Sequence, residues 1–448
     1  AENVAVGTSA LGANTTGASN VAVGTSALAN NTTASGNTGV GVYVGLYNTT
    51  GYGLTGMGQS ALQANTTGHS NTAIGYQSMY DNTTGCLNTA LGDRALQNNT
   101  TASNNTAVGM NSLQANTTGA VNTAIGSQAL FSNTTGCCNV AIGGDTMYTN
   151  STGCYNVAIG KNTLEANTTA NNNTAVGFSA MAANTTAIDI TAIGSNAVRS
   201  NTTGGRNVGV GMSALYTNTT GCCNVAVGRQ ALYYTTTASD NTAVGNNALL
   251  ENITGCWNTA VGGTALQINT TGTRNTALGW EAAYSNTTGN CNTALGRSAA
   301  TLTTTGDNNT TVGYAAQPSS ATVSHEITLG NASNNNLRCA DTSISTLSDL
   351  RDKTNVEDIP HGLDYILALR PVKFDWNTRD GTRKGRKDYG FIAQELDQVE
   401  ETFGNKEYTR LVHKENPEKW EADVMKTYPI LIKAIQELKA EIELLKNK

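Results

Sequence analysis

The stretch Ser348-Asp349-Leu350-Arg351-Asp352-Lys353-Thr354-Asn355 brings a hydroxyl and an amine within one short segment. A serine hydroxyl is a poor nucleophile until a base takes its proton, and a lysine whose pKa is lowered by desolvation can act as that base. Ser348 and Lys353 can therefore form a dyad for acyl transfer. A plainer reading makes Ser348 the N-cap of a short helix with Asp349 in its first turn. Other chemistries fare less well. Glycoside hydrolysis needs two carboxylates at a set separation, and acids such as Asp81, Glu165, Asp240 and Glu281 are scattered through the chain. No zinc-type CxxC spacing occurs, and His69 and His325 lie far in sequence from the sulfurs, so no metal and no cofactor are expected.

The elements that position these residues begin with a repeat. Glycine occupies every seventeenth position from Gly7 to Gly330, twenty in register, including Gly75, Gly126 and Gly228. Such spacing predicts one coil of a solenoid per unit, stable only by stacking on its neighbours. The unit NTAIGSQALFSNTTGCC, starting at Asn122, has no room for a helix between its Gly and Asn-Thr-Thr punctuation. Short strands are expected at Thr-Ala-Ile and at the second apolar pair. Three rows should stack inward: the Val, Ile, Leu or Met before each glycine, the Ala two before, and the Leu or Met four after, as in Leu130. The glycine itself is expected where a Cβ would strike the next coil or a partner chain.

Asparagine recurs in two further rows, four before the glycine as at Asn122 and seven after it as at Asn133. Stacked amides can hydrogen-bond along a rod. The second row also creates N-x-T triplets that resemble glycosylation acceptors, but their recurrence follows from the repeat. A row five after the glycine mixes Tyr80, Phe131, Tyr148, Tyr216, Tyr233 and Tyr284 with Gln97, Glu165 and Arg199, a mixture that predicts a solvent-facing position and leaves room for stacking on sugars. Cys86, Cys137, Cys154, Cys222 and Cys256 share the position eleven after the glycine, with Cys138, Cys223 and Cys291 one further on. Cys137 and Cys154 fall on adjacent coils, within disulfide reach. Free thiols, a Cys137 to Cys154 bridge and interchain bridges all stay open.

Charge divides the 448 residues unevenly. Of 26 basic and 32 acidic residues, nineteen and twenty-one lie after residue 330. The repeats carry no basic stripe, so nucleic acid is not an expected partner, and no apolar run reaches the length of a membrane span, so no insertion is expected. The chain starts in mid-pattern at Ala-Glu-Asn-Val without Met, the mark of processing or of an anchoring region upstream, of which the second is expected. These features predict a β-solenoid shaft, of β-roll or β-helix type, over residues 1–334, a cap and linker at 335–347, and a small α+β domain at 348–448. In the last segment Tyr428, Leu431, Ile435, Leu438, Ile442 and Leu445 alternate three and four apart, the seam of a coiled-coil helix.

The repeats resemble the head repeats of trimeric autotransporter adhesins and repeats of phage tail fibres, which implies a trimeric surface fibre. The C-terminal domain resembles the intramolecular chaperone of endosialidases and tail spikes in three ordered blocks: the Ser348 octet, Leu369-Arg370-Pro371-Val372-Lys373-Phe374-Asp375-Trp376, and Gly390-Phe391-Ile392-Ala393-Gln394-Glu395-Leu396. That resemblance implies a domain that trimerises, sets the register of the upstream chains and then severs the bond before its serine, here Leu347–Ser348. It assigns Ser348 and Lys353 the catalytic roles and gives Asp349, Arg351 and Asn355 the task of holding local geometry.

The expectation is a homotrimeric fibre, a virion tail fibre or cell-surface appendage outside the cell, whose receptor is a host-surface glycan or protein. At most it performs a single self-cleavage. The alternatives are a polysaccharide-degrading tail spike, an adhesin whose uncleaved C-terminal domain is the binding tip, and an ice-binding surface built on paired threonines such as Thr117-Thr118.

Overall fold

The computed structural model describes residues 2–334, 351, 353–377, 384–404, 406–414 and 420–447. Twenty strands of three residues, β1 (Val4–Val6) through β20 (Ile327–Leu329), fall one to a coil and pair in parallel with their neighbours in sequence. The register shift is one repeat throughout, so β8 (Thr123–Ile125), β9 (Val140–Ile142) and β10 (Val157–Ile159) pair Thr123 with Val140 and Val140 with Val157. The chain is a parallel β-solenoid of seventeen-residue coils followed by a small domain of helices and short strands.

The parity of most strands is set by the asparagine that precedes them, with Leu54 and Ile190 buried in the same place before two others. Asn122 is buried, its Nδ2 donates to the Gly136 carbonyl at 2.9 Å, and its Oδ1 accepts from the Asn139 backbone at 3.0 Å. Alternate residues of a strand share a face, so Asn122 turns Ala124 inward and Thr123 and Ile125 outward. Ala124 is fully buried, whereas Ile125 is 39% exposed, Leu91 45% and Leu278 46%. This corrects the expectation for the row before the glycine: it lines the outer face of the sheet, while the Ala and Leu rows form the core.

The second apolar pair also departs from expectation. It forms no strand, and Leu130 lies fully buried in a turn with φ 53°, between Gln128 at φ 59° and the later Cys138 at φ 57°. Left-handed backbone costs an L-residue roughly 1–2 kcal/mol, and here it aims alternate peptides at opposite neighbours. Gln128 donates its N–H back to Met110 at 2.9 Å and Leu130 donates forward to Thr146 at 3.0 Å. Hydrogen bonds between coils thus offset the strain of the turn.

The second asparagine row forms the expected ladder. Asn133 Nδ2 reaches Asn116 Oδ1 at 2.9 Å and the Gly136 carbonyl at 3.0 Å, while Asn150 donates to Asn133 Oδ1 at 2.8 Å. Asn133 is fully buried with its amide engaged, so the folded shaft does not offer this N-x-T triplet for glycosylation. The marker glycines behave as expected too. Gly75, Gly126 and Gly228 have φ between +133° and +141°, and a Cβ on any of them would come within 2.4 Å of the next marker glycine's oxygen. At the last coil Glu326 stands in the asparagine row and accepts from the backbone N–H of Ser319 at 2.9 Å.

The C-terminal unit comprises α1 (Leu363–Ala368), an antiparallel pair β21 (Val372–Asp375) and β22 (Lys387–Gly390), α2 (Ala393–Phe403), a short α3 (Lys406–Thr409), the pair β23 (Val412–His413) and β24 (Glu421–Ala422), and α4 (Tyr428–Lys446). Its core gathers Tyr365, Leu396, Leu411, Val412 and Ile430.

Candidate functional site

Two of the three sequence blocks meet in this unit. Arg370, leading into β21, pairs with Glu395 in the first turn of α2, its Nε donating at 2.9 Å while Nη2 donates to the other carboxylate oxygen. This two-pronged contact holds the Glu395 carboxyl below its ordinary range. Beside it an open pocket is lined by Leu369, Phe391, Leu396 and Val399. Lys373 and Tyr389 oppose each other in the β21–β22 register, and Trp376 Nε1 donates to Asp388 at 3.3 Å.

Leu347, Ser348 and Asp349, with the whole of 335–347, lie outside the described residues. Arg351, Lys353 and Asn355 lie within them and are exposed, Asn355 with a left-handed φ of 54°.

Sequence reasoning missed two buried carboxylates that tie the unit together. Asp397 on α2 accepts from Lys406 Nζ at 2.5 Å and also from Lys414, and these hydrogen bonds lower its pKa. Glu400, one turn further and fully buried, accepts from the Leu411 backbone at 2.6 Å and from the Thr409 hydroxyl at 2.5 Å. Nothing in the spacing of DQVEETFG distinguishes such carboxylates from solvent-facing ones.

The seam of α4 is exposed. The helix turns Ile430 and Ala434 inward, and α1 is fastened to it where the Leu363 N–H donates to Glu437 at 2.7 Å. Leu431, Ile435, Leu438, Ile442 and Leu445 stay outside, Ile435 60% and Leu445 70% exposed.

On the shaft the aromatic row is half-buried rather than freely solvent-facing. Phe131 stacks on Tyr148 and Tyr216 on Tyr233, each pair 5.0 Å between centroids and within 2° of parallel. Arg199 donates to the Tyr216 hydroxyl at 2.6 Å. Ring faces are turned to one another along the rod, which leaves fewer of them for sugars. All eight described cysteines are free, and no helix among the described residues is long and apolar enough to cross a membrane.

Residues 348–405 match the family model described as the chaperone of endosialidase. The matched span covers the Ser348 octet, Arg370 and Glu395. No curated protein matches the chain.

Proposed function

We propose that the chain is the shaft of a homotrimeric fibre, a virion tail fibre or comparable extracellular appendage, whose C-terminal unit aligns three copies during folding. The match of residues 348–405 to the chaperone of endosialidase carries this reading. Two unpartnered apolar surfaces support it: the outward aliphatic row of the sheet and the exposed seam of α4. A repetitive shaft needs such alignment, because near-identical coils can pair in many registers.

After assembly, Ser348 Oγ attacks the Leu347 carbonyl carbon while Lys353 takes its proton and returns it to the departing Ser348 nitrogen. Water then hydrolyses the resulting ester, leaving a Leu347 carboxylate. Asp349, Arg351 and Asn355 hold this segment in shape. Release of the aligning unit leaves the fibre kinetically trapped. The far end of the shaft presents a surface to a host glycan or protein.

Intact mass of freshly expressed chain beside Ser348→Ala tests the cleavage. Fragments 1–347 and 348–448 from the parent, with the variant whole, support it. If both stay whole, Ser348 is structural and the C-terminal unit is a permanent tip. Native mass of the uncleaved variant tests the trimer separately.

A further inference from the structure

Cys137 and Cys154 occupy the same position on adjacent coils, directly after the turns that precede β9 and β10. Their sulfurs are 3.0 Å apart, and Cys154 Sγ also accepts from the Cys137 backbone N–H at 3.0 Å. Both thiols are partly exposed. Adjacent parallel rungs are about 4.8 Å apart, inside the Cα separation a disulfide spans. Small side-chain rotations therefore suffice to bring the sulfurs to bonding distance.

We propose that Cys137 and Cys154 are a redox modification site: an exogenous small-molecule disulfide oxidises them to a bridge that staples two coils in mid-shaft. One thiolate attacks the reagent and forms a mixed disulfide, releasing one thiol. The other cysteine then attacks the protein sulfur, closing the bridge and releasing the second thiol. The two cysteines lose two hydrogens and the reagent gains them.

The rest of the row argues that this pairing is specific. Cys222 and Cys256 are two coils apart with Ser239 between them, the Cys222 N–H donating to Ser239 Oγ at 3.0 Å and the Ser239 N–H to Cys256 Sγ at 3.4 Å. Two rungs span roughly 9.6 Å, beyond disulfide reach. Cys86 has Ser103 on one side and His69 on the other. A slip of one coil would set Cys137 against Asn171, which already accepts the Cys154 N–H at 2.6 Å. The bridge therefore forms only in the native register and then locks it.

The test treats the full native chain with oxidised glutathione, alkylates the remaining thiols, and digests with chymotrypsin, which cuts at Tyr148 between the two cysteines. The expected result is a Cys137 peptide joined to a Cys154 peptide, with Cys86, Cys222 and Cys256 alkylated. The joined species should vanish in Cys154→Ser, a substitution the fold tolerates because Ser103 and Ser239 occupy the same row. Alkylation of both Cys137 and Cys154 in the treated parent overturns the proposal. So does a link from Cys154 to any other cysteine, or a covalent dimer on a non-reducing gel. The readout does not depend on cleavage at Ser348 or on the oligomeric state.

Discussion

Gly126 lies against Gly143 of the next coil so closely that a Cβ on the first would stand 2.3 Å from the carbonyl oxygen of the second. Its φ of +138° is also glycine territory. Gly126→Ala should cost at least about 1–3 kcal/mol from backbone strain. Gly144→Ala, whose new Cβ would meet nothing nearer than the Ser127 oxygen at 3.9 Å, should be near neutral. Urea midpoints of the two variants check the contrast, and equal midpoints would contradict the packing argument.

The asparagine ladder makes a second contrast. Asn133→Ala removes the acceptor of Asn150 and the donor to Asn116, leaving buried groups unpaired at roughly 1–3 kcal/mol each. Asn133→Thr should cost less, because Thr235 occupies this row and donates to the Asn252 carbonyl at 2.8 Å. Denaturant unfolding of both variants measures the order.

Strand parity predicts a separation of folding from assembly. Ala124→Asp should abolish the solenoid, since Ala124 has no exposed surface. Ile125→Asp should leave far-UV circular dichroism intact while weakening association, as should Ile435→Asp on α4. Native mass spectrometry reads the second effect, and an undiminished oligomer in both variants would refute the proposed interfaces.

How legible was this in the chain? The period, the marker glycine and the amide ladders all follow from spacing, because a stacked coil repeats every environment it creates. Facing was harder. Thr-Ala-Ile alternates equally well with either parity, and bulky Ile125 is a more obvious core residue than small Ala124. What decides is Asn122, whose buried amide finds its partners in the shaft interior, the Gly136 carbonyl and the Asn139 N–H of the next coil. Leu130 was expected in a strand because its left-handed backbone, unusual for leucine, is made favourable by contacts with neighbouring coils that a single repeat does not display. At the candidate site, Arg370 and Glu395 were legible as members of two blocks, but their pairing needed the fold, as did the roles of Asp397 and Glu400.

The hydrogen bond that Cys137 donates to Cys154 pushes the Cys137 thiol up to about 12, burial adding to the effect. A raised pKa means that the reactive thiolate is scarce at neutral pH and grows with pH until it passes that value. Alkylation of Cys137 should therefore be at least about tenfold slower at pH 8 than in Cys154→Ala, where the acceptor is gone. Its rate should keep climbing above pH 10. Mass-resolved alkylation time courses measure both.

Asp397 gives a pH dependence of opposite sign. Lys406 and Lys414 hold its pKa below the ordinary value, so the ion pairs contribute stability above the unfolded carboxylate pKa of about 3.9. That contribution is lost as pH falls from there through the depressed folded value. Asp397→Asn should flatten this part of the pH–stability curve of the C-terminal unit, measured by thermal melts between pH 2 and 6.

Because each coil hands its N–H groups to the coil above or below, tension along the shaft pulls on those bonds end to end and opens them one coil at a time. Each opening frees seventeen residues, on the order of 55–60 Å of extended chain. The force at which the shaft yields is then set by a single coil, however many are stacked. Such a shaft, stiff at rest, would pay out length under load instead of snapping, the behaviour of an extensible tether.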